Sequence, residues 1–279
     1  MPRLFCLGLG YTALALARRL KAEGWQVGGT CREADKAAAL RAAGIDAVVA
    51  PAEAEGPIAA ATHLLASIPP DATGDPALAL WGPAIARHPG LAWAGYLSTT
   101  GVYGDRDGGW VDETSALAPT GERGQRRALA EAAWVALLPA VPVHLFRLAG
   151  IYGPGRSALD TVRAGRAQRV VKRSQVFSRV HVDDIAQVLA ASIARPRPGA
   201  VYNVCDDNPA PPDEVIAYAC ELLGVAPPPE VPFGQADLSD MARSFYADNK
   251  RVSNRLIKAE LGVDLAYPDY RIGLRALLG

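Results

Sequence analysis

The stretch Arg3-Leu-Phe-Cys-Leu-Gly-Leu-Gly-Tyr-Thr-Ala13 decides the fold of this chain. A short apolar run is followed by the turn Gly8-Leu-Gly10-Tyr-Thr-Ala13, and a helical pattern begins at Thr12. A G-x-G-x-x-A turn between a strand and a helix is typical of a dinucleotide-binding fold. Gly8 permits the tight turn, Gly10 lets a pyrophosphate approach the helix N-terminus, and Ala13 is small enough for close packing.

Strand and helix patterns alternate through the first 150 residues, which predicts βαβ units and a parallel sheet. Short apolar runs predict buried strands at Arg3–Leu7, Gln26–Thr30, Asp46–Ala50, His63–Ile68, Trp93–Ser98 and Val143–Leu148. Runs rich in Ala, Leu and Arg predict helices at Thr12–Glu23, Ala34–Ala43, Pro76–His88 and Gln125–Leu138. The predicted fold class is therefore α/β, a Rossmann-type doubly wound parallel sheet with a smaller C-terminal substrate lobe.

Beyond Gly153 the pattern is less regular. Asp183-Asp184 predicts the cap of a helix through Arg195, Tyr202–Cys205 one more strand, and Pro212–Leu223 a further helix. We expect a dinucleotide-binding domain at 1–153 with return segments near 177–204. Residues 154–176 and 205–279 are expected to form the substrate-binding lobe.

Composition limits the function classes. Lys and Arg total 29 and Asp and Glu total 29, so no net charge draws the chain to nucleic acid or to anionic lipid, and neither partner is expected. The four cysteines lack metal-ligand spacing, so no metal site is expected. Gly8 and Gly10 interrupt the apolar N-terminus and Arg18-Arg19 follows it, which argues against a secretion signal. We expect a cytoplasmic protein.

The end of the second predicted strand bears on the cofactor. A cofactor without a 2′-phosphate would usually find Asp or Glu there, but this chain has Thr30-Cys31-Arg32. Arg32 suits the 2′-phosphate of NADP, or it is simply a solvated arginine. The expected cofactor is NADP, or else NAD. The expected cofactor-binding residues are Gly8, Leu9, Gly10, Tyr11, Thr12, Ala13, Thr30, Arg32, Ser67, Ile68 and Pro69.

Several separate motifs resemble one known family. They are Leu97-Ser-Thr-Thr-Gly-Val-Tyr-Gly104, Trp110-Val-Asp-Glu113, Phe146-Arg-Leu-Ala-Gly-Ile-Tyr-Gly-Pro-Gly155, Val180-His-Val-Asp-Asp184, Tyr202-Asn-Val-Cys205 and Asp248-Asn-Lys250. With the glycine turn they resemble the extended short-chain dehydrogenase/reductase superfamily, the NAD-dependent epimerase/dehydratase group, over nearly the whole chain.

The resemblance assigns roles residue by residue and also marks a departure. Thr99 stands where the family has the hydroxyl that orients the substrate oxygen. Arg123 and Arg127 stand where it has the tyrosine and lysine of Tyr-x-x-x-Lys, four apart on one helical face. A guanidinium cannot act as a proton donor near neutral pH, so Arg123 is left to stabilise an oxyanion and Arg127 to bind ribose hydroxyls. The substitution resembles an atypical branch of the superfamily.

Other residues offer acid or base groups. The expected catalytic set is Thr99, Tyr103, Arg123 and Arg127, and further candidates are Glu113, Glu122 and His181. Each has a structural alternative: a packed aromatic, a loop acid, a first-turn charge or a hydrogen-bonded histidine. A second Tyr-x-x-x-Lys string, at Tyr246 to Lys250, lies outside the catalytic helix and is interpreted as unrelated to catalysis.

Two functions stay open at this point. The first is an oxidoreductase of the epimerase/dehydratase type with an unknown small polar substrate. The second is a non-catalytic dinucleotide-binding sensor or regulatory protein. A cluster of Arg123, Arg126 and Arg127, with Arg147 or Arg156, suits an anionic substrate or is a solvated helix face with separate loop charges. The resemblance also suggests a homodimer paired through the helices beside the fifth strand.

Overall fold

The computed structural model describes residues 1–278. The strands in that range are β1 (Arg3–Leu7), β2 (Gln26–Cys31), β3 (Asp46–Val49), β4 (His63–Ala66), β5 (Trp93–Thr99), β6 (Trp110–Val111), β7 (Val143–Leu148), β8 (Gly150–Tyr152), β9 (Arg169–Val171), β10 (Arg179–His181), β11 (Val201–Val204), β12 (Glu230–Pro232) and β13 (Arg251–Val252). Seven of them form one sheet in the order β11-β7-β5-β4-β1-β2-β3, with every neighbouring pair parallel. The order reverses at β1, which is where doubly wound folds bind ligands.

Helices cover both faces of this sheet. They are α1 (Tyr11–Ala22), α2 (Ala34–Ala42), α3 (Glu55–Ala59), α4 (Pro76–Ala86), α5 (Glu122–Val135), α6 (Ala158–Arg163), α7 (Val182–Ala194), α8 (Pro212–Leu223), α9 (Asp240–Phe245), α10 (Arg255–Leu261) and α11 (Tyr270–Ala276). One apolar core joins the sheet to α1, α2, α7 and α10, and a second joins the opposite face to α3, α4 and α5. The predicted Rossmann-type, doubly wound α/β fold is confirmed.

A smaller group of elements packs away from the main sheet. Helices α6, α8 and α11 share an apolar cluster that contains Leu159, Val215, Tyr270 and Leu274. Strands β9 and β12 pair with each other beside this cluster. The division of the chain into domains stays a prediction, but these elements occupy the ranges expected to form the lobe.

Several helix boundaries differ from the sequence-based prediction by about one to three residues, among them the starts of α5 and α7. Helix α5 starts at Glu122, three residues earlier than predicted, because Gly121 already serves as its N-cap and Glu122 suits the positive helix N-terminus. Helix α7 is capped by His181, whose ring accepts from the amide of Asp183, while both aspartates lie in the first turn. The first shift matters for the site, because it places Arg123 inside the helix.

A two-stranded pairing ties the end of the chain to the loop after β5. Arg251 and Val252 of β13 pair with Trp110 and Val111 of β6. The backbone amide of Arg106 donates to the carbonyl of Asn249 at 3.0 Å. This pairing brings the segment before β13 against the carboxyl ends of the main strands.

Candidate functional site

A cleft of about 830 Å³ lies at the carboxyl ends of β1, β4, β5 and β7. Its first wall is the glycine turn with the start of α1, its second the end of β5 with α5, and its third the C-terminal elements. This is the place where open parallel sheets bind ligands, and the volume suits a molecule of cofactor size with a substrate beside it.

The glycine turn is held from both sides. Gly8 has a φ of +97°, a left-handed conformation that favours glycine, and an added Cβ would lie 2.9 Å from Cγ1 of Ile68. The amide of Gly8 donates to Oγ1 of Thr30 at 2.8 Å, and Oγ of Ser67 donates to the carbonyl of Gly8 at 2.6 Å. Thr30, Ser67 and Ile68 therefore fix the turn, and Ser67 also lines the cleft.

The N-terminus of α1 is open toward the cleft. Gly10 is its N-cap residue and offers no side-chain acceptor, and an added Cβ there would meet nothing within 4 Å in residues 1–278. Gly10, Tyr11, Thr12 and Ala13 all line the cleft. Uncapped amides at the positive end of a twelve-residue helix suit a phosphate group. The residues present therefore fit a dinucleotide pyrophosphate.

Arg32, which follows β2 and is the expected contact for a 2′-phosphate, is exposed. Thr30 and Cys31 are buried, whereas Arg32 is exposed and makes no hydrogen bond or ion pair within residues 1–278. Sequence reasoning missed Lys36, whose ammonium donates to the carbonyl of Leu9 at 2.9 Å. This contact adds a second cation next to the turn. The remaining predicted residue, Pro69, is exposed just after β4.

Arg123 and Arg127 both reach the cleft from one face of α5. The Arg127 guanidinium donates to the carbonyl of Leu97 and to the hydroxyl of Tyr96 at 3.3 Å, and burial raises the pKa of that phenol. The Arg123 guanidinium is exposed and lies 5.1 Å from the ring centroid of Phe245. Arg127 is thus hydrogen-bonded to β5, whereas the Arg123 guanidinium makes no hydrogen bond within residues 1–278.

Thr99 lies at the end of β5 and lines the cleft. Its Oγ1 accepts from the amide of Gly101 at 3.2 Å, so the hydroxyl proton remains available to another oxygen. The role of Thr99 as a substrate contact stays a prediction.

The structure corrects the expectation for Tyr103. Its side chain is completely buried, its hydroxyl donates to Asn203 at 2.7 Å and accepts from Arg147 at 2.9 Å, and burial raises its pKa. A phenol held between two buried partners cannot reach a substrate in the cleft. Tyr103 is a structural residue.

The structure also places two arginines of the expected anion-binding cluster, Arg147 and Arg126, outside the cleft lining. Arg147 is buried and forms a bidentate ion pair with Glu131, at 2.8 Å for the Nη2 contact. Arg126 pairs with Glu122 on the outer surface of α5. Only Arg123, Arg127 and Arg156 of that cluster line the cleft.

The three further acid–base candidates have structural partners outside the cleft. The Glu113 carboxylate accepts from the amide of Asn203 at 2.7 Å, and burial raises its pKa. Glu122 is bound to Arg126. The buried His181 caps α7, and burial lowers its pKa.

Tyr246 and Lys250 are brought to the cleft although the sequence placed them far from the catalytic helix. The Lys250 ammonium already has protein partners, because it donates to the carbonyl of Gly104 at 2.8 Å and to the carboxylate of Asp248 at 3.0 Å. Tyr246 is different, since its hydroxyl makes no hydrogen bond in the described part of the chain. No local signal could have shown this, because the pairing of β13 with β6 causes it.

Residues 1–278 contain neither a cluster of metal ligands nor a helix suited to span a membrane. The four cysteines in this range are all buried and free, and no cluster of His, Cys, Asp or Glu there could hold a metal ion. None of the helices in the same range combines the length and the hydropathy needed to span a membrane.

The chain is similar to several known proteins. No protein-family model matches the chain. Protein YeeZ of Escherichia coli (strain K12) is 29% identical over 286 residues, which cover 96% of this chain and 97% of YeeZ. A functionally unknown conserved protein from Silicibacter pomeroyi DSS is 55% identical, with a TM-score of 0.93 over 100% of this chain and 98% of that chain.

A third relative links the fold to a named class. A Methylobacillus flagellatus protein assigned as an NAD-dependent epimerase/dehydratase is 26% identical, with a TM-score of 0.71 over 99% of this chain and 97% of that chain. The fold and the cleft define an extended short-chain dehydrogenase/reductase. Within that superfamily, the chain is similar to the NAD-dependent epimerase/dehydratase family, which is the resemblance that the motifs predicted.

The expectation of a nicotinamide dinucleotide agrees with structural neighbours of the same fold. Human epimerase family protein SDR39U1, 18% identical with a TM-score of 0.77, was solved with NADPH. The UDP-glucuronic acid 4-epimerase of Bacillus cereus, 15% identical with a TM-score of 0.80, was solved with NAD. Both forms of the cofactor thus occur on this fold.

Proposed function

We propose that this chain binds NADP in preference to NAD and is an oxidoreductase of the epimerase/dehydratase type that acts on a small substrate. The observation that carries the proposal is the open N-terminus of α1 at Gly10, beside a cleft that the end of β5 also lines. A helix start with free amides and no side-chain cap binds anions, and the similarity to dinucleotide-binding neighbours makes a dinucleotide the fitting anion.

Particular residues would hold the cofactor. The amides at Gly10, Tyr11 and Thr12 would bind the pyrophosphate, and Arg32 would bind the 2′-phosphate of NADP. Lys36, which donates to the carbonyl of Leu9, would add positive charge beside the phosphates. When bound, the nicotinamide supplies hydride transfer.

At the substrate end of the cleft, two side chains would contact the substrate oxygen. The Thr99 hydroxyl would donate to a substrate oxygen, and the free guanidinium of Arg123 would stabilise negative charge on that oxygen. Neither group is a good proton donor near neutral pH, so proton transfer would fall to water or to another group in the cleft. This arrangement is consistent with an atypical member of the superfamily.

A second candidate function is a dinucleotide-binding sensor without hydride transfer. The anchored state of Arg127 favours it, because a guanidinium bound to the Leu97 carbonyl has fewer donors left for ribose hydroxyls than the family's lysine. Oxidation of bound NADPH in the presence of any carbonyl substrate would exclude this second function.

Titration calorimetry with NADPH and NADH tests the cofactor proposal. Arg32→Ala should weaken NADPH binding about tenfold to a hundredfold and leave NADH binding unchanged, since a hydrogen-bonded charged contact contributes about 1.5–3 kcal/mol. Arg18→Ala is the matched control, because Arg18 is an exposed arginine on α1 away from the cleft. Absence of binding for both dinucleotides would refute the proposal.

The cytoplasmic location and the homodimer stay predictions. Leu80 of α4 and Leu129 of α5 are 50% and 72% exposed, and both helices pack on the same face of the sheet. Apolar side chains on these helices suit the proposed pairing beside β5.

A further inference from the structure

Arg179, the first residue of β10, lines the cleft. Its Nη1 donates to the carbonyls of Phe177 at 2.8 Å and Ala210 at 3.0 Å. The guanidinium makes no other hydrogen bond within residues 1–278, and none of the ion pairs in that range includes it. The N–H groups of Nε and Nη2 therefore remain available to a ligand.

The positive charge of Arg179 forms no ion pair within residues 1–278. The carboxyl group next to it in the fold belongs to Asp206, which is 2% exposed, and burial raises the pKa of Asp206 to about 8. A guanidinium that is withdrawn from solvent and not balanced by an anion is costly, which favours an anion arriving from the cleft.

Tyr246 supplies a second donor at the same place. Its ring packs edge-on against Phe177 with centroids 5.2 Å apart, and the Arg179 guanidinium lies 6.0 Å from that same Phe177 ring. The Tyr246 hydroxyl makes no hydrogen bond in the described part of the chain, and the residue lines the cleft. A guanidinium fork and a phenol next to each other match the several acceptor oxygens of a carboxylate or a phosphate.

Many of the side chains that line the cleft on the lobe side are apolar, although Thr161, Arg166 and Gln168 also line it. The aliphatic side chains that line the cleft here are Val170, Val176, Val215, Ile216, Leu238 and Leu274. Such walls favour a carbon skeleton with few hydroxyl groups, because polar groups buried against them would lose their hydrogen bonds to water.

We propose that Arg179 and Tyr246 bind the anionic group, a carboxylate or a phosphate, of a substrate whose remaining part is apolar. The inference deepens the proposed function, because it places this acid in the cleft that also holds the dinucleotide. It differs from the arginine cluster expected on α5, which includes neither Arg179 nor Tyr246.

Ligand-detected NMR on the full chain without dinucleotide tests the proposal. The probes are phenylacetate, octanoate and phenyl phosphate, each measured beside an uncharged partner: phenylacetamide, octanamide and phenol. We expect at least one acid to bind and its neutral partner to bind at least tenfold more weakly, as for a charged hydrogen bond. Comparing phenyl phosphate with phenylacetate distinguishes a phosphate site from a carboxylate site. Equal binding of acids and neutral partners, or binding of none, would overturn the proposal.

Substitutions then locate the contact. Arg179→Gln should weaken acid binding about thirtyfold, whereas Arg163→Gln, an exposed arginine of α6 outside the cleft lining, should not change it. Because Arg179 also holds two carbonyls, Tyr246→Phe provides a variant that removes one hydroxyl only, with an expected loss of about fivefold. Unchanged acid binding in both variants would contradict the inference.

Dinucleotide titration of the same samples separates the two proposals. Loss of acid binding with dinucleotide binding intact supports the assignment of Arg179. Acid binding without any dinucleotide binding refutes the proposed function and leaves the acid site standing.

Discussion

The buried ion pair between Glu131 and Arg147 allows a prediction with a worked magnitude. The two side chains are 4% and 6% exposed, and Glu131 also accepts from Ser98 at 2.5 Å. Glu131→Gln keeps the shape but leaves the Arg147 charge buried without a partner, which costs about 3–5 kcal/mol. The unfolding entropy of a chain of this length is about 0.6 kcal/mol per K, so the melting temperature should fall by about 5–8 K.

Thermal and urea denaturation followed by circular dichroism measure this loss. Glu122→Gln is the matched control on the same helix, because its pair with Arg126 is exposed and is expected to contribute less than about 0.5 kcal/mol. The double variant Glu131→Gln with Arg147→Met should be more stable than Glu131→Gln alone, since it removes the unpaired charge. A loss below about 1 kcal/mol in Glu131→Gln would show that the pair does not stabilise the fold as argued.

Two further predictions concern the turn and a buried acid. Gly10→Asp should abolish dinucleotide binding in calorimetry without lowering the melting temperature, because the new carboxylate would cap α1 and repel phosphate. Asp206 has a folded-state pKa of about 8 against an ordinary value of 3.8, so its contribution to stability falls as pH rises from about 4 to 8. As the pH rises from 6 to 8, the free energy of unfolding of Asp206→Asn should therefore increase by on the order of 2–3 kcal/mol relative to that of the unsubstituted chain. If the two free energies of unfolding change with pH in parallel, the prediction is wrong.

The local part of the fold was predictable from the sequence. The strand Arg3–Leu7 has the predicted bounds, and the turn at Gly8 has the predicted strand before it and helix after it. These features depend on neighbouring residues, so a pattern along the chain is enough to find them. The predicted parallel sheet followed from the same alternation of short strands and helices.

The lining of the cleft could not be predicted in the same way. Tyr103 looks available in the sequence, but Arg147 and Asn203, 44 and 100 residues away, bury its hydroxyl. Tyr246 looks remote, but the pairing of β13 with β6 brings it to the cleft. Which side chains face a cavity depends on contacts between distant segments, and a single sequence does not contain them.

The pairing of β13 with β6 also sets the order in which the molecule can be completed. Arg251 pairs with Trp110, so the chain between them must be synthesised before this contact forms. During translation the dinucleotide half can fold first, since domains generally fold from the N-terminus as they emerge. The cleft wall that contains Tyr246 can form only after the final segment has been synthesised. A nascent or truncated chain would therefore expose the glycine turn to solvent, because the cleft beside it would not be closed.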